Sequence, residues 1–209
     1  MSDTARIAGI DEAGRGPWAG PVVAAAVVLR PRDRQGGAGP WTLSGARVDD
    51  SKRLTSLQRD RAFREILLRA DVGVGIVPAE AIDRSDILQA TFQAMRQAVE
   101  ALDEPPALAL IDGSQLPPLA CPCRAIVGGD GLNVSIACAS IVAKVLRDSL
   151  MTYYHRLFPE WGFDRHKGYG TALHRAALSQ RGVSPLHRAS FQPVAEALRA
   201  QETGLMAAA

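Results

Sequence analysis

A short apolar run near the N-terminus ends on two adjacent carboxylates, and this feature constrains the fold more than any other in the sequence. Residues 7–10 predict a buried strand, and Asp11 and Glu12 follow it directly. Side chains alternate between the faces of a strand, so the two acids share a site only where the chain leaves the strand. Gly14 and Gly16 allow a turn that brings Glu12 towards Asp11. Because neighbouring carboxylates repel each other, the stretch predicts a cation site.

Two further apolar runs also end on an acid. Residues 108–111 stop at Asp112, and residues 124–127 lead through two glycines to Asp130. Ligands of open α/β sheets bind just outside the carboxyl ends of the strands, so we expect these acids to join the first pair there. A single Asp at such a position more often caps a turn or a helix, but three strand ends together favour a metal site. Oxygen ligands without Cys or His predict Mg²⁺ or Mn²⁺ rather than zinc.

The remaining sequence alternates strand-like and helix-like segments, which is typical of an α/β fold. On the first predicted helix, Phe63, Ile66 and Leu67 form a buried stripe, which Ala70 extends. On the last long helix, Arg147 is expected in an ordinary surface ion pair. The predicted elements are a strand over 21–29, a polar surface loop over 31–48, a helix opened by a capping box at Thr55, a strand over 72–77, a helix carrying Leu88, Phe92, Met95, Val99 and Leu102, and a long helix from about Asn133.

The formal charge of the 209-residue chain is only +2, so overall composition does not point to a nucleic-acid partner. One local cluster of basic and aromatic residues does point to such a partner. Arg165 and Lys167 lie beside Tyr169, a combination that suits a surface contacting phosphates and stacking on sugars or bases, although basic clusters are more commonly solvated surface charge. The alternative is aromatic packing of a C-terminal appendage on the core, and we expect that role for Trp161 and Phe163.

The sequence predicts two regions. Residues 1–158 form a catalytic core, and residues 159–209 form a helical region that packs on it and carries a substrate-contacting loop. The cysteines are odd in number and contain no Cys-x-x-Cys pair, which argues against a disulfide framework and a zinc site: Cys121, Cys123 and Cys138. Without a recognisable signal peptide or spanning segment, we expect a cytoplasmic protein without membrane contact, and a monomer.

Five motifs follow one another along the chain: Asp11-Glu12-Ala13-Gly14-Arg15-Gly16-Pro17, Asp50-Ser51-Lys52, Ile111-Asp112-Gly113, Ala139-Ser140-Ile141-Val142-Ala143-Lys144 and His166-Lys167-Gly168-Tyr169-Gly170-Thr171. Together they resemble bacterial ribonuclease HII over nearly the whole chain, from about residue 7 to residue 191. The resemblance implies a ribonuclease H-like fold, with a mixed five-stranded sheet flanked by helices and a small helical C-terminal appendage. It also implies an endoribonuclease that hydrolyses the RNA strand of RNA–DNA hybrids. Such an enzyme cuts 5′ of ribonucleotides embedded in duplex DNA and leaves 3′-hydroxyl and 5′-phosphate ends.

The resemblance implies four residues that bind metal and carry catalysis: Asp11, Glu12, Asp112 and Asp130. Phosphodiester hydrolysis suits two Mn²⁺ or Mg²⁺ ions about 3.5–4 Å apart, and Asp11 is our candidate to bridge them. Glu12 is expected to act through either its carboxylate or its backbone carbonyl. The fourth acid of the family commonly follows Lys-Gly or Lys-Ala, whereas Gly128 and Gly129 precede Asp130 here.

The resemblance also implies a set of substrate-binding residues: Gly14, Arg15, Gly16, Lys52 and Tyr169. The first three, with the tyrosine, recognise the RNA–DNA junction in the family, and their backbone is well placed to contact a 2′-hydroxyl. Lys52 would hold a phosphate as a point charge.

Other functions remain as alternatives. A catalytically inactive nucleic-acid-binding module of the same fold would keep the surface but not the metal-dependent cleavage. Junction resolvases and transposase cores share the fold but lack the Gly-Arg-Gly and His-Lys-Gly-Tyr-Gly motifs. Ribonuclease HIII is nearer, but its additional N-terminal domain has no room before Ile7. A dinucleotide-binding enzyme would require a Gly-x-Gly-x-x-Gly spacing, which Gly14, Gly16 and Gly20 do not provide.

Overall fold

The computed structural model describes residues 5–207, so the outermost residues of both predicted regions lie outside it. The strands are Ile7–Ala13 (β1), Val22–Leu29 (β2), Trp41–Leu43 (β3), Ala46–Val48 (β4), Ala70–Val77 (β5), Leu108–Asp112 (β6) and Cys123–Ile126 (β7). The α-helices are Ser56–Arg69 (α1), Ala79–Arg84 (α2), Ile87–Glu100 (α3), Val134–Leu157 (α4), Phe163–His166 (α5), Ala172–Arg181 (α6) and Gln192–Ala207 (α7). In the described part of the chain, no helix is long and apolar enough to span a bilayer.

The five strands of the main sheet lie in the order β5-β2-β1-β6-β7, with β1 at the centre. β1 pairs antiparallel with β2 and parallel with β6, with Ile10 opposite Ile111. β6 in turn pairs parallel with β7, with Asp112 opposite Ile126. The predicted mixed five-stranded sheet is therefore confirmed. Its parallel central strands bring the acids at their carboxyl ends to one edge, because parallel strands end at the same side.

β1 continues further than the sequence predicted. Both acids lie within the strand, with Asp11 opposite Ala25 and Glu12 opposite Ala24, because β2 remains paired up to Val23. Their side chains therefore leave the strand on opposite faces, Asp11 buried and Glu12 half-buried. The prediction that the chain turns and brings Glu12 round to the Asp11 side is wrong.

Helix α4 packs directly on the central strand through Gly9. A Cβ atom at this position would lie 2.1 Å from the backbone carbon of Ser135 and 2.3 Å from the amide nitrogen of Ile136. The absent side chain thus permits the close approach of helix and sheet that places the small-residue face of α4 against β1. β5 contains two similar glycines, Gly73 and Gly75, whose Cβ atoms would each lie 1.9 Å from a carbonyl oxygen of α3.

We expect Gly9→Ala to lower the free energy of unfolding by about 3 kcal/mol or more, because backbone atoms cannot move aside as a flexible side chain can. Urea unfolding measures the change. Gly36→Ala is the matched control, since a Cβ there would meet nothing within 4 Å. Equal unfolding free energies for the two variants would show that α4 does not need this contact.

Three other features differ from the predictions. The predicted surface loop contains the hairpin β3–β4, whose Trp41 and Leu43 are buried in the same hydrophobic cluster as Ile66. Leu67 is 50% exposed, because α1 buries its Ala62 and Ile66 face instead. Arg147 is fully buried rather than paired at the surface, since its guanidinium donates to backbone carbonyls.

The chain forms two compact units, here called unit 1 and unit 2. Unit 1 comprises residues up to Ala13, Val23–Ile76 and Thr91–Leu146 and contains most of the main sheet with its hydrophobic core; unit 2 comprises Gly14–Val22, Val77–Ala90 and the residues from Arg147 onward. The core of unit 2 is small and aromatic, with Trp161 packed against buried Phe163 and Met151. The packing role expected for the two aromatic residues is thus confirmed within unit 2. The division at residue 158 stays a prediction.

Candidate active site

Asp11 is the most buried of the predicted site acids, at 6% exposure, because it lies on the central strand beneath α4. Its Oδ1 accepts a hydrogen bond of 2.7 Å from the Glu12 amide. The hydroxyl of Ser140, on α4, also hydrogen-bonds to the carboxylate. Ser140 and buried Ser51 share a further hydrogen bond of 2.9 Å. Two hydroxyl groups in series therefore fix the carboxylate from the helix side.

Asp112 ends β6, one position past the pairing of Ile10 with Ile111, so it lies beside Asp11 across the sheet. Its Oδ1 accepts a hydrogen bond of 2.7 Å from the Gly129 amide. Gly129 opens the short 3-10 helix Gly129–Gly131, which contains Asp130. One hydrogen bond thus connects the end of β6 to the turn that carries the fourth acid.

The charges of these acids act on one another. The pKa of the Asp11 carboxyl is well above its usual range, first because of burial and then because of the negative charges of Glu12 and Asp112. The pKa of Asp130 is also raised, by burial and then by the charges of Asp50 and Asp112. Each acid is therefore destabilised as an anion, and a nearby cation would relieve the repulsion.

A divalent metal fits this donor set, because the repelling groups are carboxylates and hard cations prefer oxygen ligands. Among residues 5–203, no three His, Cys, Asp or Glu side chains are arranged closely enough to hold an ion as they stand. Ion binding would therefore draw the carboxylates together. The hydrogen bond from Gly129 uses Oδ1 of Asp112 and leaves Oδ2 of that carboxylate for this purpose.

Lys52 lies in the turn before α1, and its side chain is exposed. The Asp50 carboxylate accepts a hydrogen bond of 2.9 Å from the backbone amide of Lys52, and this bond fixes the turn. The positive charge of Lys52 opposes the rise in the pKa of Asp130. The structure thus places the predicted phosphate-binding lysine within electrostatic reach of Asp130, one of the predicted site acids.

The Gly14-Arg15-Gly16 segment belongs to unit 2. Gly14 has a φ of +100° and packs so closely that a Cβ would lie 2.0 Å from Nε of Arg147. Arg15 and Gly16 are exposed, and a Cβ on Gly16 would meet nothing within 4 Å. The segment is therefore anchored at its first glycine and open at its second.

Tyr169 also belongs to unit 2; the residue is 42% exposed, and the centre of its ring lies 5.7 Å from the guanidinium carbon of Arg147. Its carbonyl accepts a 3.0 Å hydrogen bond from Nδ1 of buried His174. The carbonyl of neighbouring Gly168 accepts one of 2.8 Å from the Trp18 amide. The backbone is thus held by hydrogen bonds while the residue as a whole stays partly exposed.

Electrostatic interactions connect five predicted site residues within unit 1: Asp11, Glu12, Asp112, Asp130 and Lys52. The other four lie in unit 2: Gly14, Arg15, Gly16 and Tyr169. The sequence analysis missed Ser51 and Ser140 as the support of Asp11. A polar residue within the otherwise apolar, small-residue face of α4 was the signal that marked Ser140.

Comparisons with a family model, with related sequences and with a solved structure all point to the same family. Residues 8–194 match the family model of Ribonuclease HII. A protein named Ribonuclease HII from Chloroflexus aurantiacus is 56% identical over 200 residues, covering 95% of this chain and 92% of its own. One of that name from Rhodospirillum rubrum is 53% identical over 195 residues, covering 92% and 87%. The crystal structure of the ribonuclease H2 from Pyrococcus horikoshii OT3 shares the fold, with a TM-score of 0.77, 24% identity, and coverage of 94% of this chain and 99% of that one.

Proposed function

Because the chain belongs to the ribonuclease HII family, and is thus a metal-dependent endoribonuclease acting on RNA–DNA hybrids, we propose that it also incises duplex DNA at single embedded ribonucleotides. It cuts on the 5′ side of the ribonucleotide and leaves 3′-hydroxyl and 5′-phosphate ends. The proposed metal-dependent catalysis is supported by the buried Asp11 carboxyl, whose pKa is raised by burial and by the charges of Glu12 and Asp112. Such a group is stabilised as an anion when a cation joins it.

We assign Mg²⁺ or Mn²⁺ to four residues: Asp11, Glu12, Asp112 and Asp130. When bound, two such ions supply an activated water and charge relief at the leaving oxygen. Asp11 is central, because both Glu12 and Asp112 act on its charge. The Ser140 hydroxyl orients its carboxylate, so that the ligand is held before substrate arrives. Lys52, near Asp130 and exposed, holds a substrate phosphate.

Ribonucleotide recognition is assigned to unit 2. The exposed backbone of Arg15 and Gly16 contacts the 2′-hydroxyl, which both donates and accepts hydrogen bonds. The ring of Tyr169, a residue that is 42% exposed, stacks on the sugar at the DNA side of the junction. The monomeric state and the cytoplasmic location stay predictions.

The test is cleavage of a duplex that carries one ribonucleotide, beside an all-DNA duplex of the same sequence, with Mg²⁺ and Mn²⁺ in separate reactions. We expect a single cut on the 5′ side of the ribonucleotide and an intact all-DNA duplex. Cleavage of an RNA–DNA hybrid without any cut at the single ribonucleotide would overturn the proposed specificity. Binding without cleavage under either metal would favour the inactive module.

We expect Tyr169→Ala to lose about 5- to 150-fold in cleavage of the single-ribonucleotide duplex, because base or sugar stacking contributes roughly 1–3 kcal/mol. Tyr169→Phe keeps the ring and should lose less. Cleavage rates and a melting curve are measured for each variant. The recognition role would be withdrawn if Tyr169→Ala melted so much earlier that its unfolded fraction accounted for the lost activity.

A further inference from the structure

Arg188 is a fully buried arginine whose guanidinium binds the segment that contains Gly14 and Arg15. It is 0% exposed, and Nη2 donates to the Gly14 carbonyl at 2.6 Å, Nη1 to the Arg15 carbonyl at 2.9 Å and Nε to the Gly20 carbonyl at 3.0 Å. Burial and the neighbouring charge of Arg147 lower its pKa to about 9. Since a buried cation needs compensating partners, the three carbonyl dipoles keep it in place as a cation at neutral pH.

The surroundings of Arg188 fix its position from the other side as well. Its backbone amide donates to the Trp18 carbonyl at 2.8 Å, and its guanidinium carbon lies 5.1 Å from the centre of the Phe191 ring. The Asp83 carboxylate accepts hydrogen bonds from the next two amides, Ala189 at 2.8 Å and Ser190 at 2.9 Å. The negative charge of Asp83 also favours the charged form of Arg188. Both ends of the side chain are therefore anchored.

The orientation of two peptide groups follows from these bonds. Among the described residues only the Gly39–Pro40 bond is cis, so the bonds on both sides of Arg15 are trans. In a trans peptide the carbonyl and the N–H point in opposite directions. The Gly14 carbonyl points at Arg188, so the Arg15 N–H points away from it. The Arg15 carbonyl also points at Arg188, so the Gly16 N–H points away from Arg188 as well. Arg15 and Gly16 are both exposed residues.

We propose that Arg188 is a positioning residue for ribonucleotide specificity: it holds the carbonyls of Gly14 and Arg15 inward and thereby presents the amides of Arg15 and Gly16 to the oxygen of a ribose 2′-hydroxyl. This inference rests on the proposed recognition of embedded ribonucleotides. Arg188 itself lies beneath the segment and acts through it. Without the guanidinium, the two peptide groups are free to rotate, and the donors lose their fixed direction.

The experiment measures binding in the Asp11→Asn background with Mg²⁺, using duplexes that are checked afterwards to be intact. Dissociation constants are determined for a single-ribonucleotide duplex and for its all-DNA counterpart, and their ratio is the ribonucleotide preference. Two directed hydrogen bonds predict a preference of about 5- to 150-fold in the parent. Arg188→Lys keeps the charge but cannot reach three carbonyls. We expect it to bring the preference close to 1, with all-DNA affinity within about 2-fold of the parent.

Two further variants make the result decisive. Leu178→Ala removes a buried side chain of unit 2 that bonds to none of these carbonyls, and it should keep the parental preference despite lower stability. Asp83→Asn weakens the support of Arg188 at a half-buried site, and it should lower the preference by a smaller factor, about 2- to 5-fold, even if Arg188→Lys does not fold.

The outcomes separate the inference from the function beneath it. A parental preference that persists in the folded variants of Arg188 or Asp83 would overturn the role of Arg188 and leave ribonucleotide recognition standing. Equal weakening for both duplexes would also overturn it, because that is the signature of a general loss of structure. A parent without any preference would overturn the proposed recognition and the inference together.

Discussion

Asp11→Asn is expected to reduce cleavage by on the order of 10³-fold or more while substrate binding persists, since the lost metal interactions amount to several kcal/mol of transition-state stabilisation. The amide keeps the shape of the buried side chain and its hydrogen bond from the Glu12 amide through the remaining carbonyl oxygen. It removes the negative charge that a cation would balance. The phosphate contact that we propose for Lys52 would remain.

Single-turnover cleavage of the single-ribonucleotide duplex at saturating Mg²⁺ or Mn²⁺ measures this effect, and electrophoretic mobility measures binding. Asp60→Asn is the matched control, because Asp60 is an exposed acid on α1 outside the candidate site. The control should cleave like the wild type. Substantial activity of Asp11→Asn at saturating metal would refute the assignment of Asp11 as the central ligand. A melting curve tests whether unfolding causes the loss of activity. We expect the melting temperature to be unchanged or raised, because the substitution removes a buried charge.

The sheet and the acids at its edge were predictable because both depend on local patterns. The apolar run that stops at Asp112 predicted the end of β6, and parallel pairing then brings Asp11 and Asp112 side by side. The length of β1 was not predictable in the same way. It is set by the partner strand, which stays paired up to Ala13 opposite Val23, and this pairing is invisible in the sequence around Glu12.

The buried arginines could not be predicted, because their partners are backbone carbonyls and not carboxylates. Charged side chains are rarely fully buried, so a surface position is the natural expectation for Arg147. Its partners, the carbonyls of Ala19, Pro21 and Lys167, are distant in sequence and carry no side-chain signature. The same reasoning applies to Arg188. Both residues became apparent only from hydrogen-bond geometry.

The hairpin β3–β4 was missed for a different reason. Its strands have three residues each and lie in a stretch rich in Gly and Pro, so no period of two could develop. Burial of Trp41 and Leu43 in the core of unit 1 depends on tertiary contacts with Ile66 and its neighbours. Such short strands form because of their packing against the core and not because of a local sequence pattern.

The second large effect is expected for Asp130→Asn, which should slow cleavage by on the order of 10²-fold, because the site loses one of its negative ligands. Asp130 is less buried than Asp11, and the positive charge of Lys52 already opposes the rise in its pKa. The loss should therefore be smaller than that of Asp11→Asn. The glycines that precede Asp130 do not argue against its role, since the Gly129 amide bonds to Asp112 and so fixes the turn beside the other acids.

Cleavage rates of Asp130→Asn, Asp112→Asn and Asp50→Asn, each with a melting curve, decide the assignment. If Asp130 is a ligand, the first two variants should both be slow, and titration with metal should recover part of the rate. Asp50 is the informative comparison, because its charge raises the pKa of Asp130 while its carboxylate also fixes the turn of Lys52. Asp50 would replace Asp130 as the proposed fourth ligand if Asp130→Asn cleaved like the wild type while Asp112→Asn and Asp50→Asn were both slow. If added metal instead restores the cleavage rate of Asp130→Asn but not that of the other two variants, Asp130 is the ligand of the ion whose binding is weakened.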